Sequence, residues 1–137
     1  MTLDVNMTNY ILKNGEPVVE PSLMRWAKWY EKADRHVAQE EITEAGGRIK
    51  RKVRISTVFL AVDYGSAEKG KPILWETMVF GGKHHEYQER CSGGRKDAEK
   101  MHKRVMKMVQ ETWKKKAKEK YAENRNERSS DELTHRR

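Results

Sequence analysis

The sequence predicts an α+β fold: an antiparallel sheet of about three to five strands with two helices packed on it, an N-terminal hairpin ahead of them and a long basic C-terminal helix. Three observations predict it. Apolar residues recur at helical spacing in two separate stretches, near residues 22–33 and from 95 onward. Between these stretches the period drops to two, in runs rich in Val, Ile, Thr and aromatic residues and punctuated by glycine pairs. Near the start, Asn14-Gly15 separates two short apolar runs, a strong short-range sign of a hairpin.

Taken in order, Tyr10-Ile11-Leu12-Lys13 and Glu16-Pro17-Val18-Val19 are the hairpin strands, and both turn residues tolerate the positive φ of a type I′ turn. Pro17 cannot donate to a ladder, which places its strand at an edge. Pro21-Ser22 then opens a helix with Ser22 as N-cap. Leu23, Trp26, Ala27, Tyr30 and Ala33 form its apolar stripe, with Arg25, Lys28, Glu31, Lys32 and Arg35 between them; Trp29 falls off the stripe. His36 to Ile42 reads as a strand and Glu44-Ala45-Gly46-Gly47 as a turn. Residues 48–62 favour β throughout. They alternate at Lys52-Val53-Arg54-Ile55 and are apolar on both faces from Thr57 to Val62, the pattern of a strand covered on each side. After a solvated loop at 65–71, strands follow at 73–80 and 86–91, the first ended by Gly81-Gly82. Ser92-Gly93-Gly94 breaks the sheet. From Arg95, the residues Ala98, Met101, Val105, Met108, Val109 and Thr112 gather within roughly 100° of one helix face. The stripe thins to Ala117 and Tyr121 beyond Trp113. Residues 1–122 are thus expected to form one domain and 123–137 a disordered polar tail.

At 137 residues there is room for a single core, and with 36% hydrophobic and 36% charged residues that core must be small. Four Trp, five Tyr and two Phe supply much of its area. The one cysteine, Cys91, excludes an internal disulfide and leaves no thiolate pair for zinc, which favours a reducing compartment. The first residues carry neither the positive flank nor the apolar run of a signal peptide, and the run from Val58 to Val62 is too short to span a bilayer. A cytoplasmic protein with no membrane partner is expected.

The net charge of +8 is unevenly placed. Residues 1–92 hold 14 Lys/Arg against 13 Asp/Glu, whereas residues 93–137 hold 15 against 8. Much of that excess falls on the helix face opposite the apolar stripe, at Lys96, Lys100, Lys103, Lys107, Lys114 and Lys118, with Arg95 at the helix start. Such a ridge can neutralise phosphates in a sequence-independent, salt-sensitive way. Against that stands the ordinary reading of a solvated helix face softened by Asp97, Glu99, Glu111 and Glu119. Lysine is moreover a point charge without the bidentate geometry of arginine. The order helix, strands, basic helix is similar in topology to the double-stranded-RNA-binding domain, which sets a glycine-preceded basic helix start against phosphates, as Gly93-Gly94-Arg95-Lys96 could here.

Trp26 and Trp75 fit buried positions. Trp29 and Trp113 are the candidates for a binding patch, where a partner protein or a second copy of the chain could dock. His84 and His85 are adjacent on extended chain and point apart, so no metal site is expected. Asp63 and Glu76 are the carboxylates best placed to act as a base, but neither has a second group at diagnostic spacing. No phosphate loop, nucleophile elbow or His-Glu metal helix is present. No catalytic residue, metal or cofactor is expected.

Three segments, 21–38 with Trp26, Trp29 and Tyr30, 56–63, and 75–82, resemble a family of small uncharacterised proteins of bacteriophages and prophages, over roughly residues 10–110. The resemblance implies a phage-type accessory protein working in bacterial cytoplasm and carries over no ligand or catalytic residue. The expected function is therefore non-enzymatic binding of a macromolecule, nucleic acid through the basic helix. The alternative is a protein-binding inhibitor or modulator of a host or defence factor.

Overall fold

In the computed structural model, which describes residues 7–44, 50–63 and 70–134, Asn14 and Gly15 take φ values of 53° and 79° and join β1 (Tyr10–Lys13) to β2 (Glu16–Val19) in the expected turn. α1 (Leu23–Lys32) follows, with the Ser22 hydroxyl accepting from the Arg25 N–H at 3.3 Å as its N-cap. Then come β3 (His36–Glu44), β4 (Arg51–Phe59), β5 (Ile73–Phe80) and β6 (Gln88–Ser92), paired antiparallel in that order. The chain ends in α2 (Arg95–Thr134), whose side chains are described over 95–111 and 118–126. The fold is α+β, with one two-stranded and one four-stranded antiparallel sheet. The expected turn at 44–47 and loop at 65–71 lie largely outside the described residues.

α2 lies across all four strands of the larger sheet. Its inner side buries Ala98, Met101, Val105 and Val109 against the alternate residues Val53, Ile55 and Phe59 of β4 and Trp75 and Val79 of β5. The Trp75 indole N–H also donates to the Gly93 carbonyl at 2.8 Å, which ties the start of α2 to the sheet. Gly93 has φ +94°, a conformation open to glycine at little cost. No Gly or Pro interrupts residues 95–134, and α2 takes in residues 123–134, which the sequence pattern had placed in a tail.

Two expectations change. The apolar run through Val62 is not all strand. β4 ends at Phe59, and the chain turns at Ala61, fully buried with φ 65°, where the Ala61 carbonyl accepts from Tyr10 N–H at 2.9 Å. Nor is β4 covered on both faces: Ser56 and Val58 point away from α2 and stay partly exposed. The second change concerns α1, which is turned about its axis relative to the expected stripe. Leu23, Ala27 and Tyr30 are exposed, while Trp29 faces inward, edge-on to Phe59 at 5.9 Å between centroids. Trp26 is half-buried, its indole N–H within 3.1 Å of the carbonyls of both Tyr10 and Ala61. Those hydrogen bonds and the Phe59 ring, rather than the count of apolar residues, set the helix's rotation.

Candidate nucleic-acid interface and a buried polar chain

The side of α2 away from the sheet carries Lys96, Lys100, Lys103 and Lys107, all exposed. At 100° per residue they fall within roughly 60° of one another, along about 17 Å of axis. Lys107 meets Glu111 at 3.8 Å; Lys96, Lys100 and Lys103 form no ion pair among the described residues. Lys118 is exposed farther along α2, and the Lys114 and Trp113 side chains lie outside the described residues. The ridge follows from the same spacing that builds the core face: with Ala98, Met101, Val105 and Val109 inward, the lysines can only point out.

Arg95 does not join this row. Its side chain lies along the hairpin turn, with Cδ 3.4 Å from where a Cβ on Gly15 would stand, and its Nε is 3.5 Å from Glu99. The helix start is occupied as well. The Glu16 carboxylate, from β2, accepts from the Arg95 N–H at 3.4 Å, and Asp97 accepts from the Gly94 N–H at 3.0 Å. Two carboxylates therefore satisfy the free N–H groups that were expected to cradle phosphate at Gly93-Gly94-Arg95-Lys96, and they would repel an anion placed there. Among the described residues four strands lie between the two helices, where the double-stranded-RNA-binding likeness needed three.

A second constellation was missed from sequence. His102, on the inner side of α2, is 3% exposed. Its Nδ1 lies 2.7 Å from the Thr57 hydroxyl, which lies 2.6 Å from the Thr77 hydroxyl, both threonines being fully buried. His102 Nε2 has no hydrogen-bond partner among the described residues; the Glu40 carboxylate stands 3.8 Å away on the edge strand β3. Burial pushes the imidazole pKa down, and Glu40 opposes this only in part, so the ring is neutral at pH 7. If the proton of the neutral ring sits on Nε2, on the side of Glu40, Nδ1 accepts from Thr57, which in turn accepts from Thr77. Carboxylate, imidazole and hydroxyl follow one another as in a nucleophilic triad. Thr57 is sealed between sheet and helix, however, so its hydroxyl meets no substrate. The chain is a hydrogen-bonded pin through the core. The one available signal was that Thr57, Thr77 and His102 all fall in register with core-facing residues.

The remaining candidates are all engaged in structural contacts. Glu76 accepts from Arg90 Nε at 2.7 Å and Gln88 Nε2 at 2.6 Å, and Asp63 accepts from the Ile73 N–H at 3.3 Å. His85 Nδ1 accepts from the Gly81 N–H at 2.8 Å, holding the turn after β5. Burial, aided by Asp97, pushes the Cys91 thiol up to about 11, which leaves it unreactive at neutral pH. Among the described residues no helix is long and apolar enough to cross a membrane. No model of a protein family matches the chain, and neither a curated protein nor a solved structure does.

Proposed function

We propose that the protein is a non-enzymatic accessory protein of phage type, acting in bacterial cytoplasm, that holds nucleic acid by its phosphates along the outer side of α2. The observation that carries this reading is the alignment of Lys96, Lys100 and Lys103, exposed and without ion pairs among the described residues. Lys107 and Lys118, both exposed, lie farther along the same helix. Lysines alone supply charge without base recognition, so the binding is independent of sequence and steep in salt. Fluorescence anisotropy of a labelled duplex, titrated between about 50 and 200 mM salt, tests it. Neutralising three or four phosphates gives a log–log slope of about −3. A duplex that stays unbound at the lowest salt ends this reading.

The second reading, a protein-binding inhibitor or modulator of a host or defence factor, draws on Val18, Val19, Leu23 and Met24, four exposed apolar side chains close together in the chain. Under that reading the lysines meet an acidic protein surface, and nuclease treatment of a lysate leaves the captured partner in place.

A further inference from the structure

Among the described residues His102 is the one buried side chain that takes up a proton near neutral pH, and its two ring nitrogens meet different surroundings. Nδ1 faces the sheet, 2.7 Å from the Thr57 hydroxyl of β4, which is 2.6 Å from the Thr77 hydroxyl of β5. Nε2 faces the edge strand β3, where the half-exposed Glu40 carboxylate is 3.8 Å away. Register explains this placement. Ala38 pairs with Thr57 and Glu40 with Ile55, so Glu40 stands on the α2 side of β3. The other charged or titratable groups on this side are engaged elsewhere. On β6, Glu89 lies opposite Thr77 and pairs with Arg104, while Cys91 lies opposite Trp75 and burial keeps its thiol protonated. On α2 itself, Glu99 pairs with Arg95 at 3.5 Å, and Lys103 points to solvent with the ridge. Glu44 lies four residues along β3, beside Gly82. From β4 and β5 the ring meets only the two hydroxyls. Glu40 is thus the charge that answers to the ring.

We propose that His102 and Glu40 form a pH-sensitive switch in the contact between α2 and β3. In its neutral state the ring carries its proton on Nε2 and is pinned to the sheet through Nδ1 alone. On taking up a second proton it is fastened to Glu40 as well. A neutral imidazole has one donor and one acceptor. A proton on Nε2 lies beside a carboxylate, whereas a bare Nε2 would set its lone pair against that negative charge. The bare nitrogen is therefore Nδ1, which accepts from Thr57. When a proton from solvent binds Nδ1, this nitrogen becomes a donor and the Thr57 oxygen accepts from it. The Thr57 hydrogen turns to the Thr77 oxygen, so both short contacts survive with their direction reversed. The Thr77 hydrogen is turned off the chain, which is one cost of the charged state. The gain lies on the other side of the ring. Its positive charge attracts the Glu40 carboxylate, and a half-exposed side chain is free to close to a charge-assisted hydrogen bond of about 2.8 Å. Burial outweighs this gain and holds the ring's proton affinity below the ordinary value. The acid state is thus less stable overall, yet joined more tightly between α2 and β3 at this point.

Nuclear magnetic resonance of the full chain carrying isotope-labelled histidine tests this, with the His102 signals identified by their loss in His102→Gln. At about pH 7.5 the nitrogen shifts should place the neutral ring's proton on Nε2. As the pH is lowered, the ring should charge below the ordinary value of about 6.5 while the chain is still folded. Glu40→Gln keeps the size of the side chain and removes its charge. It should lower the ring's proton affinity at least about threefold, moving the titration to lower pH. A Glu40 that serves only as solvated surface would leave the titration where it was. A neutral ring with its proton on Nδ1 overturns the proposal. So does a titration that Glu40→Gln leaves in place, and so does a ring that stays neutral until the chain unfolds. If Glu40→Gln does not fold, the position of the proton in the wild-type chain decides alone.

Discussion

The two helices carry similar apolar stripes in the sequence and meet the rest of the protein in different ways. α2 buries Ala98, Met101, Val105 and Val109 almost completely, whereas α1 buries no residue in full and leaves Leu23 67% and Met24 73% exposed. What differs is the surface each lies on. α2 runs across all four strands, so a regular row of facing side chains reads its whole stripe. α1 is ten residues long and meets the hairpin and one end of the sheet, where two tryptophans and their partners choose its rotation. A stripe's phase is thus legible when the helix spans its sheet. It is lost when one or two large side chains with polar tips outvote the smaller apolar ones.

Substitutions can break that contrast, beginning where the effect is largest. Met101→Ala, beneath α2, should cost about 3 kcal/mol in urea unfolding, as a large core side chain leaves a cavity. Leu23→Ala, on the expected stripe of α1, should cost less than about 0.5 kcal/mol, in the range of exposed positions. Equal costs at the two sites would restore the stripe read from sequence and remove the rotation.

Thr57→Val sharpens the α2 side of the comparison. It leaves the Thr77 hydroxyl and His102 Nδ1 buried without partners, at about 2 kcal/mol in total. Adding Thr77→Val removes one of these orphans, so the double variant should cost clearly less than the sum of the two single changes. Strict additivity would mean that the two hydroxyls do not act together. Trp29→Ala should follow at about 1–2 kcal/mol, the smaller loss expected of a half-buried ring.

The pH dependence gives a gentler effect of known sign. The folded pKa of His102 lies below the ordinary value of about 6.5, so the unfolded chain takes up its proton first. Its contribution to stability is full above pH 6.5 and is lost as pH falls through 6.5 toward the lowered folded value. Urea midpoints measured from pH 7.5 down to 5 should fall in the wild type and fall less in His102→Gln, which has no imidazole to charge. Parallel profiles would place the titrating group elsewhere.

Much of the fold was legible because local chemistry and the final structure agree. Asn14-Gly15 demanded its turn, the alternation at 52–55 its strand, and the glycines at 93 and 94 their break. The site was legible only in part. The lysine ridge follows from helical spacing alone. The filling of the α2 start by Glu16 depends on a contact 79 residues apart in the chain, which no local pattern encodes. The burial of His102 was hidden for a related reason: a polar residue on a core-facing position looks like an interruption until its threonine partners are brought opposite it. The open sheet face was hidden because Val58, Met78 and Phe80 have the composition of a covered one.

The reading of α2 as a nucleic-acid interface is a claim about where charge lies, and one paired measurement tests it. Lys96→Glu/Lys100→Glu/Lys103→Glu and a control triple variant, Lys13→Glu/Lys28→Glu/Lys83→Glu at dispersed exposed sites, change the net charge equally. Duplex affinity measured for both at about 50 mM salt should fall at least 100-fold in the ridge variant and only a few-fold in the control. Equal losses in the two would show that total charge alone attracts the duplex, and an unchanged ridge variant would take α2 out of the interface.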